Sequence, residues 1–147
     1  MNSLSEDLYQ ETILDHASRP RHAHPLEGSQ QTHAYNPLCG DSLTVFARAI
    51  GQRQGLHEIA CVAHGCVLSK ASASLMAATT QKKSKAEILE LCDQVQRMVT
   101  GLHAIPTNAT LESLQPLASV ARYPARIKCV MLPWHALKKL LSNTAAQ

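Results

Sequence analysis

Apolar residues recur along the chain with two periods, and the switches between them divide it into elements. Near the start, Leu8, Tyr9, Thr12, Ile13 and His16 fall at helical spacing behind Ser3 and Glu6, whose spacing is that of a capping box. The helix ends ahead of Pro20, because the residue before a proline avoids the helical region. From Pro20 to Pro37 the chain is polar and rich in His and Gln, and reads as a long loop with a short edge strand near Thr32–Tyr35. Ser42–Ile50 alternates, placing Leu43, Val45, Ala47 and Ala49 on one face of a strand. Residues 51–55 read as a turn, and Leu56–Ala63, with Ile59, Cys61 and Ala63 alternating, returns as the second arm of a hairpin.

Beyond Gly65 the period becomes helical. Cys66–Thr79 is dense in Ala, Ser, Leu and Met without Gly or Pro, the pattern of a buried helix. Lys82–Lys85 reads as a solvated connection, and Ser84 with Glu87 forms a second capping box. An amphipathic helix follows through Ile88, Leu91, Cys92, Val95, Met98 and Val99 to Gly101. Leu111–Val120, carrying Leu111, Leu114, Leu117 and Ala118, predicts a short helix. Ile127–Leu141 predicts the last one, with Ile127, Val130, Trp134, Leu137 and Leu141 inward. Pro133 lies inside it and cannot donate to the carbonyl of Cys129, so a kink is expected. The order implies an α+β fold, a small antiparallel β-sheet packed against several α-helices, in a single domain over residues 1–147.

Composition narrows the functional classes. With 147 residues, 45% hydrophobic and 17% charged, the chain can bury one core and is not a disordered polymer. Aromatic residues make up 3%, too few for a base-stacking surface, and a formal charge of +3 does not by itself argue for nucleic acid. No apolar run approaches a bilayer span, and Met1–Asp7 has neither the basic nor the apolar region of a secretory signal. The expectation is a cytoplasmic protein without nucleic-acid or membrane partners.

The chemistry rests on cysteine. There are five, at 39, 61, 66, 92 and 129, an odd number that argues against a disulfide framework. No Cys-x-x-Cys pair is present, so any metal site draws its ligands from separate segments. Cys61 and Cys92 fall on inward faces and read as small apolar core residues. Cys39 stands in the turn Asn36-Pro37-Leu38-Cys39-Gly40-Asp41. Cys66 and Cys129 fall at predicted helix starts, where the dipole and free N–H groups lower a thiol pKa; Arg126 and Lys128 push Cys129 the same way. Cys39, Asp41, Cys66 and Cys129 make a plausible tetrahedral zinc set, and such thiolate-rich sites also suit iron–sulfur clusters. The residues alone leave other readings open. The Asn-Pro-Leu-Cys-Gly-Asp segment reads equally as an Asx-capped turn. A zinc held for structure only, or a cysteine hydrolase with His16, His64 or His135 as base, also fits the composition.

Four stretches taken together resemble the U-type iron–sulfur assembly proteins (IscU, the NifU N-terminal domain and SufU), most closely the SufU type. They are Leu8-Tyr9 through Ile13-Leu14-Asp15-His16 to Pro20-Arg21; Asn36 to Asp41; Gly65-Cys66-Val67-Leu68-Ser69-Lys70-Ala71-Ser72-Ala73-Ser74; and Pro124-Ala125-Arg126-Ile127-Lys128-Cys129 with Trp134 beyond. Lys128 stands where IscU-type chains carry a His. Positions 66 and 129 lie 63 apart, room for the SufU insertion around Gly101–Val120. The resemblance implies one zinc on Cys39, Asp41, Cys66 and Cys129. It also implies a SufS-type, pyridoxal-phosphate-dependent cysteine desulfurase as partner, with Cys39 receiving persulfide sulfur and Arg126 as the basic residue beside it. The IscU branch implies the alternative, a transient [2Fe–2S] cluster on Cys39, Cys66 and Cys129, passed to apo iron–sulfur proteins or a downstream scaffold. His64 departs from the small residue usual before Gly65, and His16-Ala17 and Arg21-His22 depart from the commoner aromatic and Asn.

Overall fold

A computed structural model describes residues 10–50, 55–101 and 108–143. The Ser3/Glu6 helix start and most of the 51–55 turn lie outside these residues. Four strands, β1 (Gln30–Asn36), β2 (Asp41–Ile50), β3 (Leu56–His64) and β4 (Lys83–Ser84), form an antiparallel sheet in the order β1-β2-β3-β4. Around it stand helices α1 (Glu11–Ser18), α2 (Val67–Thr79), α3 (Lys85–Val99), α4 (Ala109–Ser113) and α5 (Pro124–Ser142), with a 3₁₀ helix over Gln115–Arg122. This is the α+β class that the patterning predicts.

Helices α2 and α5 lie against one face of the sheet, α1 packs on α2, and α3 and the 3₁₀ helix pack on α5. Leu43, Val45, Ala47, Ile59 and Cys61 supply the sheet's share of the core. The small residues of α2 let its neighbours approach closely: Ala71, Ser72, Ala73 and Ser74 are all buried. Ser72 Oγ donates to the carbonyl of Val130 at 2.6 Å and accepts from Trp134 Nε1 at 2.9 Å, so a polar clamp fixes α2 to α5 inside an apolar core. Residues of β2 on the opposite face are not all solvated: Phe46 packs with Leu26 and Ala60 under the loop before β1.

Several expectations are corrected. The edge strand is longer than Thr32–Tyr35. Lys82–Lys85 is not simply a solvated connection, because Lys83 and Ser84 pair with His57 and Leu56 and satisfy the open edge of β3. Ala49 is exposed, lining a pocket with His57 and with Leu141 near the end of α5. The Leu111–Val120 helix is α4 followed by 3₁₀ structure, with Ala118 only half-buried. Leu111, Leu114, Leu117 and Val120 recur every third residue and are at most 2% exposed, matching the three-residue turn of a 3₁₀ helix. Helix α5 begins at Pro124, earlier than Ile127, and continues through Pro133 as one helix. Burial of Pro133, Trp134 and Leu137 holds it together where the missing N–H alone favours a break.

Candidate metal centre

The site forms where the β1–β2 hairpin loop, the start of α2 and the second turn of α5 meet. Asn36 and Asp41 close the hairpin as a register pair. The Asn36 carbonyl accepts from the N–H groups of Cys39 at 3.2 Å and Gly40 at 2.8 Å, and its Oδ1 accepts from Leu38 N–H at 3.2 Å. The Asx turn is therefore present and fixes the loop that carries Cys39. Gly40 takes the left-handed conformation, φ 71°, that turns the chain back into β2. Cys39 is left partly exposed beside Leu38, which is 79% exposed.

Asp41 is fully buried at the start of β2. Its Oδ1 accepts from Cys66 N–H at 2.8 Å, and Cys66 Sγ donates to its Oδ2 at 3.6 Å. This approach needs Gly65, whose φ is 127° and whose missing β carbon would stand 2.3 Å from Asp41 Oδ1. Cys66 is the N-cap of α2, and its sulfur accepts from Ser69 N–H at 3.3 Å. Cys129 Sγ lies 3.3 Å from Cys39 Sγ.

The ligand atoms of Cys39, Asp41 and Cys129 all lie within 4.8 Å of one another, the only such His/Cys/Asp/Glu group among the described residues. Cys66 is outside that triplet, but its thiol borders it through Asp41. The donor set of three thiols and a carboxylate fits zinc. Two thiolates on one tetrahedral zinc, at Zn–S of about 2.3 Å, sit about 3.8 Å apart, so the Cys39–Cys129 pair is close to ligating separation. A buried carboxylate among thiols is itself a place where a cation offsets the desolvation cost.

The expected thiolate character is corrected. Because α5 starts at Pro124, Cys129 sits in the second turn, fully buried and away from the helix terminus. Burial, with Cys39, Cys66 and Asp41 beside it, pushes its thiol well up. Cys66 is at a helix start and takes the Ser69 N–H, yet burial outweighs that bond and its thiol also rises. The fold alone does not favour these two groups as thiolates; a cation bound there would, releasing their protons. Burial pushes Cys61 and Cys92 to about 12, consistent with inert core residues.

Arg126 is in the first turn of α5, half-buried, one turn before Cys129; its N–H donates to the Tyr123 carbonyl at 2.7 Å. Lys128 is exposed. His64 pairs with Ser42, whose side chain points opposite to that of Asp41, so it lies on the outer sheet face near His33 and Tyr35. His16 Nδ1 is bonded to Ser74 Oγ at 2.7 Å, and burial lowers its pKa. Among the described residues, no hydrogen bond joins His16, His64 or His135 to a cysteine, which leaves the hydrolase reading without a nucleophile–base pair. Patterning does not reveal the surroundings of Cys39. Leu38, its neighbour in the chain, is exposed, as is Tyr35, and a groove of about 340 Å³ is lined by Tyr35, Asn36, Ile127, Lys128, Met131 and His135. The signal available in sequence is Leu38, an apolar residue in an otherwise polar turn.

Comparison with known proteins identifies the family. Residues 8–130 match the model of the NifU-like N terminal domain. The chain is 36% identical over 138 residues to the iron–sulfur cluster assembly scaffold protein IscU of Streptococcus pyogenes serotype M1, covering 94% of this chain and 85% of that one. It is 30% identical over 138 residues to the zinc-dependent sulfurtransferase SufU of Bacillus subtilis, covering 94% and 92%. Among solved structures, it superposes on SufU from Fervidobacterium islandicum with a TM-score of 0.83. The identity there is 27%, covering 93% of this chain and 98% of that one.

Proposed function

The chain belongs to the NifU-like N-terminal domain family, as a SufU-type member of these iron–sulfur cluster assembly proteins, and on that premise we propose that it is a zinc-bound sulfur acceptor for a SufS-type, pyridoxal-phosphate-dependent cysteine desulfurase. The observation that carries the proposal is the divided position of Cys39: it rides on an exposed loop, yet its sulfur lies 3.3 Å from buried Cys129. A residue so placed can serve as a ligand and also swing out to meet a donor.

Cys39, Asp41, Cys66 and Cys129 would hold the zinc. Bound there, zinc keeps the thiols deprotonated without redox cycling. Cys66 and Cys129, anchored at helices, and Asp41, anchored in β2, would be the fixed holders, and Cys39, on its exposed loop, the residue able to come free. The freed Cys39 thiolate attacks the outer sulfur of the donor's persulfide. The new S–S bond forms on Cys39, the donor's S–S bond breaks, and the donor cysteine leaves as thiolate, with no net oxidation. Arg126, one turn before Cys129, supplies positive charge for the anionic persulfide.

The test is turnover of a SufS-type desulfurase with and without this protein, alongside its zinc content. One zinc per chain and stimulation abolished in Cys39→Ala support the proposal; stimulation unchanged by that substitution contradicts it. A second reading is favoured by the three clustered thiols: a [2Fe–2S] cluster assembled on Cys39, Cys66 and Cys129 as cargo for apo iron–sulfur proteins or a downstream scaffold. Anaerobic reconstitution separates the two, since only the scaffold yields a stoichiometric, visible-absorbing cluster that transfers intact.

A further inference from the structure

Helix α2 buries three serine side chains near its neighbours, and two of them are fully employed. Ser72 links Val130 and Trp134, and Ser74 Oγ meets His16 Nδ1 at 2.7 Å and accepts from Arg21 N–H at 2.8 Å. The third, Ser69, is 0% exposed, and its hydroxyl is the one buried side-chain oxygen or nitrogen among the described residues without a hydrogen-bond partner. Buried hydroxyls are almost always paired, so this one calls for a reason.

The orphan has a local origin. Ser69 is the third residue of α2, the position from which a side chain closes a capping box onto the N-cap N–H. That N–H belongs to Cys66 and is already held by Asp41 Oδ1 at 2.8 Å. The usual fallback for a helical serine, a carbonyl one turn earlier, is also unused. Ser69 lies one turn before Ser72, on the flank of α2 that meets α5. Its own N–H is 3.3 Å from Cys66 Sγ. Three bonds separate that nitrogen from the hydroxyl, so rotation about Cα–Cβ can bring both donors to one sulfur.

We infer that Ser69 is a positioning residue of the metal centre, its buried hydroxyl donating to the Cys66 sulfur when that sulfur ligates the metal. The inference rests on the proposal that Cys66 is a ligand. A thiol is a weak acceptor, whereas a metal-bound thiolate carries the charge that makes a second hydrogen bond worthwhile, and such outer-shell partners orient ligands. Two donors on Cys66, from the N–H and O–H of Ser69, then fix its rotamer. Cys66 becomes the retained ligand, and Cys39, on its loop, the exchangeable one.

The test is Ser69→Ala with three readouts: zinc affinity by competition with a chromophoric chelator, the sulfur-to-metal absorption of the cobalt-substituted protein, and the urea midpoint of the metal-free protein. The expected result has opposite signs. Zinc affinity falls at least about tenfold and the cobalt band shifts to lower energy, because a thiolate that loses a donor is more easily oxidised. The metal-free variant is as stable as wild type or more so, since the change removes an unpaired buried polar group. Equal zinc affinity and an unmoved cobalt band, with wild type binding normally, overturn the inference. A less stable metal-free variant with unchanged metal binding does the same and assigns Ser69 to packing. A wild-type protein that takes up neither metal overturns the underlying proposal and this inference with it.

Discussion

Replacing Gly65 with alanine tests how the centre is built, because the structure allows the cost to be worked out in parts. The residue has φ 127°, and an added β carbon would lie 2.3 Å from Asp41 Oδ1, 2.8 Å from its Cα and 3.1 Å from its Cγ. The backbone contact cannot be relieved by turning the Asp41 side chain. Holding a non-glycine residue in so sparsely populated a conformation costs roughly 1–3 kcal/mol. Driving Asp41 away also removes the Cys66 N–H bond to its carboxylate, a charge-assisted bond worth about 1.5–3 kcal/mol. Together Gly65→Ala should cost roughly 3–6 kcal/mol, or on the order of 10–20 °C in Tm for a chain of this size. Urea denaturation of the metal-free protein followed by circular dichroism measures the loss, and zinc titration reports the displaced carboxylate. Gly40→Ala is the control: its φ is 71° but nothing lies within 4 Å of its added β carbon, so backbone strain of roughly 1–2 kcal/mol is the whole effect. A Gly65→Ala protein within about 1 kcal/mol of wild type, still binding zinc fully, would mean that Asp41 does not depend on the glycine.

Other expectations follow from particular contacts. Bonds from Arg21 and Arg19 hold the Asp15 carboxyl at about 2. Its folded pKa is thus below the ordinary carboxylate value of about 3.9, so its stabilisation is present above pH 4 and lost as pH falls toward 2. Asp15→Asn should flatten the urea midpoint across that acid range. Ser84 accepts from Glu87 N–H at 3.2 Å while its own N–H donates to Glu87 Oε1 at 2.9 Å; Ser84→Ala should cost about 1 kcal/mol by urea unfolding. Leu117 in the 3₁₀ segment is 1% exposed. Leu117→Ala should cost roughly 2–5 kcal/mol in the same assay if that segment is part of the core rather than an appendage.

Much of the fold is legible from local rules. The alternation of Leu43, Val45 and Ala47, the Ser84 capping box and the Ala/Ser-rich run after Cys66 each specify an element whose tertiary setting agrees with its local preference. Features that depend on partners distant in sequence are not legible in this way. The β4 pairing arises because β3 offers an unpaired edge, which the lysine-rich composition of residues 82–85 does not reveal. Helix α5 survives Pro133 because the core holds it, and its early start moves Cys129 off the helix terminus, reversing the expected effect on its thiol. At the site, residue types and spacing bring forward Cys39, Asp41, Cys66 and Cys129. They do not reveal that Gly65 exists to admit Asp41, nor that the Cys66 N–H, once taken by Asp41, leaves Ser69 without a partner. Those facts live in the packing of the hairpin against α2.

Sulfur transfer to Cys39 is read directly by peptide mass spectrometry of the zinc-loaded protein after incubation with a SufS-type desulfurase and cysteine. The expected result is one added sulfur atom on the Cys39 peptide, absent in Cys39→Ala and absent when cysteine is omitted. Sulfur found only on Cys66 or Cys129, or on none of the three while the desulfurase turns over, would contradict it.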